Sequence, residues 1–343
     1  MKKFTTALVG IGLTGMSLAL AAAPHAAMAQ EKSIVYVSPN PIGNNPFLVL
    51  GREGTEAAAA KIGAKASIIE SETPQAILEN LYAAANEGAD IIVALSFSAL
   101  DAVTEVAPSA PDTQFLIVDA CPSGDRPDNL HCAVFREHES SFLMGAMAAM
   151  ASKSGTVGAV GAVDIPFLHR FTDGFAAGAQ HVTPDIKVET RWVGGQNPFS
   201  DPVRAKEQAL ALNAIGADVI YAAAAGGNFG IYEAASDGGF QVMGVDVNHC
   251  PLANGTMYDS AFKRVDQVIL KSVDTIMGGA KASFAAYGLA EGGVGGVVLD
   301  SDENLAASGC LIADNAEMVK GVRAIADQII AGDITVADPL ATN

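Results

Sequence analysis

Residues Asp90–Asp119 read DIIVALSFSALDAVTEVAPSAPDTQFLIVD, and this stretch decides the fold class. It contains two apolar runs, Asp90–Leu95 and Gln114–Asp119, with a segment of helical length, Ser98–Val106, between them. Neither run alternates polar with apolar residues, which is typical of strands that are buried on both faces. Two such strands joined by a helix predict a parallel βαβ unit.

The same alternation extends through most of the chain on both sides of this unit. It restarts after the short run Leu130–Phe135, so we predict an α/β protein with two doubly wound parallel-sheet lobes and not one large sheet. The other predicted strands are Ser33–Ser38, Ala66–Glu70, Thr156–Gly161, Lys187–Val193, Asp218–Ala223 and Gln241–Asp246. The other predicted helices are Gly51–Ile62, Pro74–Glu87, Glu139–Ala151, Phe167–Val182, Pro202–Ile215, Phe229–Ser236, Val265–Met277 and Ala316–Ala331.

Residues 1–29 have the pattern of a secretory signal peptide. A basic start, Met1-Lys2-Lys3, precedes the apolar run Ala7–Ala22, and small residues stand two apart in Ala27-Met28-Ala29. This order of basic, apolar and small residues predicts export and cleavage before Gln30. Because no cysteine stands at the cleavage point, we expect a periplasmic chain without a lipid anchor.

Composition narrows the function classes. The chain has 38 acidic and 20 basic residues, a formal charge of −18, so its surface repels the phosphates of nucleic acids. The sequence contains no GxSxG elbow, no GxxxxGK[ST] phosphate loop and no HExxH motif. We therefore expect no enzyme, no catalytic residue, no cofactor and no nucleic-acid partner.

The chain has four cysteines, which in an exported protein predict two disulfide bonds. Cys121 and Cys132 lie close together around a turn-rich segment, and Cys250 and Cys310 remain. The predicted pairs are Cys121–Cys132 and Cys250–Cys310, one of three possible connectivities. The alternative, a zinc site, has little support because there is no CxxC motif, so no metal ligand is assigned.

Asp119 and Asp246 end two of the predicted strands, one in each lobe. Ligands of open parallel sheets bind beyond the carboxyl ends of the strands, so facing lobes would bring both carboxylates to one cleft. The alternative is that each Asp caps a turn or the next helix. Their paired placement favours ligand contact.

Aromatic residues recur at the turns between strands and helices. Five such rings suggest an aromatic-lined pocket for a flat heterocycle, with asparagines beside them as polar contacts. The alternative is that each ring covers the nearby core. The residues assigned to the pocket are Asn45, Phe47, Phe97, Phe167, Phe199, Asn228 and Phe229.

Several blocks of the second half resemble the basic membrane protein family of solute-binding proteins, which includes purine-nucleoside receptors serving ABC transporters. The blocks are Ile165–Ala179, Phe199–Ala209, Gly216–Ile220, Gly244–Asn248 and Lys263–Asp266. The resemblance implies a type I periplasmic binding-protein fold, with two lobes joined by a hinge and a ligand cleft between them. Expected lobes are residues 30–135 with about 263–290, and residues 136–262 with part of 297–343.

The resemblance also implies roles for particular residues. Phe47 and Phe199 would contact the ligand's ring, Asp119 its base, and Asp246 with Lys263 its sugar. Asn44 and Asn45 stand where many members of the family have acids, which leaves the ligand open. The expected function is capture of a nucleoside-like solute by a monomer and its delivery to a membrane permease. The alternatives are a receptor for riboflavin or a free nucleobase, and a secreted nucleoside hydrolase.

Overall fold

The computed structural model describes residues 1–7 and 32–341. Most of the predicted signal peptide therefore lies outside the described residues. Residues 1–7 are exposed and have no regular secondary structure. No helix within the described ranges is both long enough and apolar enough to span a bilayer.

Strands and helices alternate along residues 32–341. The strands are β1 (Ser33–Ser38), β2 (Lys65–Glu70), β3 (Ile91–Leu95), β4 (Gln114–Val118), β5 (Leu130–Phe135), β6 (Thr156–Gly161), β7 (Lys187–Trp192), β8 (Val219–Ala223), β9 (Gln241–Gly244), β10 (Met257–Lys263), β11 (Phe284–Tyr287) and β12 (Val294–Gly296). The helices are α1 (Pro46–Ile62), α2 (Pro74–Asn86), α3 (Leu100–Val106), α4 (Glu137–Ala151), α5 (Pro166–Val182), α6 (Pro202–Ala214), α7 (Asn228–Gly238), α8 (Val265–Met277), α9 (Asp302–Ala307) and α10 (Ala316–Ala331).

The N-terminal lobe is built on a six-stranded sheet with the order β11-β5-β4-β3-β1-β2. All its strand pairs are parallel. Successive residues of β1 point to opposite faces of the sheet and pack in two different hydrophobic clusters. Tyr36 packs with residues of α1, and Val37 packs with residues of α2 and α3. Burial on both faces explains why these strands show no polar alternation.

The C-terminal lobe repeats this plan with the order β12-β10-β9-β8-β6-β7. Its strands are parallel except for the edge strand β12, which is antiparallel to β10. Two helix pairs, α4 with α5 and α6 with α7, pack on these strands, and α10 packs on α4.

Glycines allow α4 and α5 to approach closely. A Cβ added at Gly145 would collide with the carbonyl oxygen of Phe175, and one at Gly178 with the carbonyl oxygen of Phe142. These collisions are with backbone atoms, which cannot move away as a flexible side chain can. The two helices therefore pack backbone against backbone.

The chain passes between the lobes three times. The first passage joins β5 to α4 through Arg136, and the second joins β10 to α8 through Arg264. The third runs from β11 to β12 through residues 288–293. Because α8 packs on α1 and β11 pairs with β5, the segment after Lys263 belongs to the N-terminal lobe until the third passage.

Most sequence-predicted elements form within a few residues of the expected bounds. One difference affects the site, because α1 begins at Pro46 and not at Gly51. Asn45 caps this helix by accepting a hydrogen bond from the Phe47 backbone N–H, so Phe47 lies in a helical turn. Strands β10, β11 and β12 and helix α9 were not predicted.

Both predicted disulfide pairings are confirmed. The Cys121–Cys132 bond joins the loop after β4 to β5, with a Cα–Cα distance of 5.4 Å. The Cys250–Cys310 bond joins the segment after β9 to the region before α10, with a Cα–Cα distance of 4.9 Å. Each bond therefore secures a loop close to the end of a central strand.

Candidate functional site

A cavity of about 580 Å³ lies between the two lobes, at the carboxyl ends of their central strands. It is a cleft of the size that binds small molecules. Eight of the ten sequence-predicted contact residues line it: Asn45, Phe47, Phe97, Asp119, Phe167, Phe199, Asp246 and Lys263.

Asn228 and Phe229 are not among the lining residues of this cleft. Asn228 is the first residue of α7, and its side-chain oxygen accepts a hydrogen bond of 2.7 Å from the Ala224 backbone N–H. The Phe229 ring packs against Tyr232 and His249 instead. Asn228 therefore stabilises its own turn, and Phe229 covers the nearby core, which is the alternative stated above for the aromatic rings.

Asp119 and Asp246 follow β4 and β9 and occupy equivalent positions in the two lobes. Their φ angles are +80° and +75°, in the left-handed region that is uncommon for residues other than glycine but accessible to Asp. The Asp119 N–H donates to the Ala133 carbonyl, and the Asp246 carbonyl accepts from the Lys263 N–H. These backbone bonds fix the two turns, so the carboxylates are held at the cleft before any ligand arrives.

Lys263, the last residue of β10, connects the cleft to the first passage between the lobes. Its ammonium Nζ lies 2.5 Å from Asp119 Oδ1 and 2.9 Å from Glu137 Oε1. All three side chains are at most 5% exposed. Sequence analysis missed Glu137, although it stands two residues after the buried strand β5, as Asp246 stands two residues after β9.

Three buried carboxyl groups, those of Asp119, Glu137 and Asp246, act on the Lys263 ammonium. Of these, Asp119 and Asp246 line the cleft, as does Glu72. Burial raises the pKa of Asp246 to about 6, while Lys263 opposes the rise. Burial also raises the pKa of Asp119, and the neighbouring Glu137 contributes to that rise. Although burial favours the neutral form of Glu137, the charges of Lys263 and Arg170 lower its pKa. Negative charge is therefore in excess, and Lys263 is shared between two acids.

Asp246 is the carboxylate left for a ligand. Among the described residues its side chain makes no hydrogen bond and no ion pair, in contrast to Asp119 and Glu137. A buried carboxylate without donors is costly, and its two oxygens can accept from several O–H or N–H groups. The position predicts a ligand with clustered donors.

Aromatic rings surround the ammonium and approach one another across the cleft. Lys263 Nζ lies 4.9 Å from the centroid of the Phe47 ring and 5.3 Å from that of Phe167. The Phe97 ring of the N-terminal lobe lies 5.7 Å from Phe167 and 6.2 Å from Phe199 of the C-terminal lobe. Phe171 also lines the cleft, one helical turn after Phe167, a spacing that could have identified it.

Asn45 presents a donor to the cleft. Its side-chain oxygen is occupied by the Phe47 N–H at 3.1 Å, as the cap of α1 requires. The side-chain NH2 group is left for a ligand, since Asn carries two donors as well as its acceptor. At this position the cleft therefore favours a ligand edge that carries an acceptor.

The sequence of this chain matches a family of substrate-binding proteins, which is consistent with a ligand cleft between two lobes. Residues 31–324 match the family described as Bmp, ABC transporter substrate-binding protein PnrA-like. The chain belongs to this family. The family consists of substrate-binding receptors of ABC transporters, which act outside the cytoplasm and are not enzymes, so the resemblance stated above is confirmed.

Two relatives illustrate the similarity. The chain is 26% identical to the ABC transporter nucleoside-binding protein BmpA of Lactococcus lactis, over 68% of this chain and 69% of that protein. It is 30% identical to basic membrane protein A of Borreliella burgdorferi, over 66% of this chain and 68% of that protein.

Solved structures establish the fold. A solute-binding protein of an ABC transporter system from Aeropyrum pernix K1 superposes with a TM-score of 0.78 at 23% identity, covering 90% of this chain and 94% of that one. A second, from Conexibacter woesei, gives 0.71 at 19% identity, covering 90% and 100%. The predicted type I periplasmic binding-protein fold is confirmed.

Proposed function

We propose that this protein captures a nucleoside in the cleft between its lobes and delivers it to the membrane permease of an ABC importer. The observation that carries the proposal is the unpartnered carboxylate of Asp246, which faces the same cleft as Lys263 and the phenylalanine rings. The Lactococcus lactis relative is named a nucleoside-binding protein, which supports the same ligand class.

The sugar would bind at Asp246. The two vicinal hydroxyls of a ribose can both donate to one carboxylate, which gives charge-assisted hydrogen bonds. Lys263 has three N–H donors, so it can serve a hydroxyl oxygen while it compensates the buried carboxylates. A ligand without clustered O–H or N–H donors would leave Asp246 unsatisfied.

The base would bind among the rings. Phe47 belongs to the N-terminal lobe and Phe199 to the C-terminal lobe, and both line the cleft. Flat heterocycles gain from contact with aromatic faces, and the Asn45 NH2 group can donate to an acceptor on the edge of the base. This donor favours a carbonyl or ring nitrogen at that edge, as in inosine, guanosine or uridine.

Calorimetric titration with a panel of solutes tests the proposal. The protein is first unfolded and refolded with its disulfides intact, to remove any ligand carried from the cell. We expect saturable 1:1 binding of inosine or guanosine, weaker binding of hypoxanthine, and none of D-ribose or riboflavin. Binding of the free base or riboflavin in preference to every nucleoside would contradict the proposal. Release of ribose on incubation would indicate a hydrolase instead.

Export as a chain without lipid is part of the same proposal. The predicted cleavage leaves Gln30 as the first residue, whereas one relative, from Pyrococcus horikoshii, is named an uncharacterized lipoprotein. We expect the intact mass of protein from a periplasmic extract to match residues 30–343 with two disulfides. A mass increased by a diacylglycerol or an acyl chain would overturn this expectation.

A further inference from the structure

The chain after α10 returns to the cleft side of the C-terminal lobe. Residues 332–341 follow this helix, and Ile334 and Val336 are half-buried against the core. Asp338 then meets Arg170 of α5 in a two-point contact. Arg170 Nε donates to Asp338 Oδ1 at 2.8 Å, and Nη2 donates to Oδ2 at 2.6 Å.

The same guanidinium reaches the first passage between the lobes. Its remaining terminal nitrogen, Nη1, donates to the Phe135 carbonyl at 2.9 Å and to Glu137 Oε2 at 3.3 Å. Phe135 ends β5 and Glu137 begins α4, so Arg170 links the C-terminal segment to the point where the chain changes lobes. The Arg170 side chain is 11% exposed and that of Glu137 is 1% exposed.

Glu137 continues this series of contacts into the cleft. Its other oxygen, Oε1, faces Lys263, and Lys263 contacts Asp119. Charges of alternating sign therefore run from the surface to the ligand site, in the order Asp338, Arg170, Glu137, Lys263, Asp119. Asp338, the outermost, is 24% exposed.

We propose that Asp338 is a positioning residue of the binding cleft: by fixing the Arg170 guanidinium, it holds Glu137 and Lys263 in the arrangement that receives a ligand. The proposal rests on the proposed function of the cleft. It assigns a role in solute affinity to the C-terminal segment, which contributes no side chain to the cavity.

The physical reason lies in the geometry of arginine. A carboxylate that engages Nε and Nη2 fixes the plane of the guanidinium, and Nη1 then points in one direction only. An Asn at position 338 can accept at one atom but not at two, and it carries no charge. Arg170 would then move between the passage and solvent, and Glu137 would lose a fixed positive neighbour.

A purely structural role for Asp338, securing the C-terminal segment, is the competing explanation. The two explanations differ in the direction in which the Glu137 pKa changes. Removal of the Asp338 charge alone would lower this pKa slightly, whereas loss of a fixed Arg170 guanidinium beside Glu137 would raise it. The other titratable group near Asp338 is His138, whose Nδ1 lies 4.0 Å away and whose pKa is lowered by burial. It does not form the two-point contact.

The test compares the full chain with Asp338→Asn, with Asp338→Glu as the conservative rescue. Asp333→Asn is the matched control, since Asp333 is an exposed residue of the same segment. The first measurement needs no ligand: carboxyl ¹³C signals of Glu-labelled protein are titrated, and Glu137→Gln assigns the resonance. We expect the pKa of Glu137 to rise in Asp338→Asn and to be unchanged in the control.

The second measurement is calorimetric affinity for inosine. We expect about three- to tenfold weaker binding in Asp338→Asn, recovery in Asp338→Glu and no change in Asp333→Asn. Should Asp338→Asn fail to fold, Arg170→Lys takes its place, because Lys cannot engage Asp338 and the passage together. A Glu137 pKa that is unchanged or lowered in Asp338→Asn would overturn the proposal. If the wild type binds no nucleoside, the proposed function fails, and the carboxyl titration alone decides the role of Asp338.

Discussion

Asp246 is the residue on which the proposed ligand depends most. Replacement by Asn keeps the shape but removes the charge and one acceptor. We expect Asp246→Asn to weaken inosine binding by about 1.5–3 kcal/mol, the range of hydrogen bonds to charged groups. Asp185→Asn, at an exposed site of the same lobe, is the control. Equal affinity for the two variants, both folded by circular dichroism, would remove Asp246 from the site.

The same substitution should act on stability in the opposite direction. Because burial raises the pKa of Asp246 to about 6, the ligand-free folded protein binds this proton more tightly than the unfolded chain does. The carboxyl therefore lowers the free energy of unfolding as the pH rises from about 4 to about 6.

Urea unfolding of the ligand-free protein measures this effect. At pH 7.5 we expect Asp246→Asn to be more stable than the wild type by up to about 3 kcal/mol, and at pH 4 nearly equal to it. A variant that is less stable at pH 7.5 would mean that Lys263 fully compensates Asp246 without ligand. A higher stability of the variant at pH 7.5 would show that the ionised Asp246, which the ligand needs, destabilises the ligand-free protein.

The sequence predicts a site residue only where its place at the end of a strand is enough to bring its side chain to the cleft. Asp119 and Asp246 could be found because the ends of parallel strands converge. Lys263 came from the resemblance only, since β10 was not predicted. Glu137 also follows a buried strand, but its contact with Lys263 depends on the passages between the lobes, which the strand pattern does not show. Asn228 and Phe229 share the same turn positions, but local capping and packing occupy them.

Among the elements, the pair α4 and α5 tolerates little added volume. We expect Gly178→Ala to destabilise the protein by at least about 1–3 kcal/mol, because the new methyl group meets the Phe142 carbonyl in the helix backbone. Gly321→Ala in α10 is the control, since its Cβ would meet only the Met150 side chain at 3.6 Å. There we expect a gain of about 0.5–1 kcal/mol, from helix propensity.

Chemical denaturation of the two glycine variants checks this prediction. Both substitutions add one methyl group to a helix, so a difference between them reports the interhelical contact and not helix propensity. Similar stabilities for both variants would mean that α4 and α5 can separate at little cost.

Strand β10 shows why part of the fold could not be predicted. Its sequence, MYDSAFK, contains Asp259 and Ser260, both of which are fully buried. The Asp259 carboxylate is satisfied by the backbone N–H groups of Ser260, Val297 and Val298. Two of these donors arrive from a segment far along the chain after the third passage, so no local pattern indicates that this polar residue belongs to a core.

For the whole molecule, the proposed function requires the lobes to move. Ligand contacts on both lobes exist together only when the cleft is closed, so a ligand shifts the population toward that state. We expect the radius of gyration, measured by small-angle scattering, to decrease when inosine is added to ligand-free protein. Asp246→Asn at the same inosine concentration should show a smaller decrease. An unchanged radius in protein proven to be ligand-free would contradict closure on binding.

The matching strand orders of the two sheets extend to their backbone details. Ser96 and Ala225, after β3 and β8, share the positive φ angles of Asp119 and Asp246, and all four line the cleft. The sequence predicted the two lobes because their strands and helices recur with the same spacing. The alternation of strands and helices does not show which sheet the last strands β11 and β12 join, since those pairings link segments far apart in the chain.

The position of Phe97 against Phe167 and Phe199 has a kinetic consequence. A solute enclosed by these rings leaves only when the rings separate. Its mean residence time in the cleft is therefore at least the mean time between openings of the rings. Release would then be limited by the motion of the protein, and different solutes could leave at similar rates although their affinities differ. Discrimination between solutes would lie in how often closure follows an encounter.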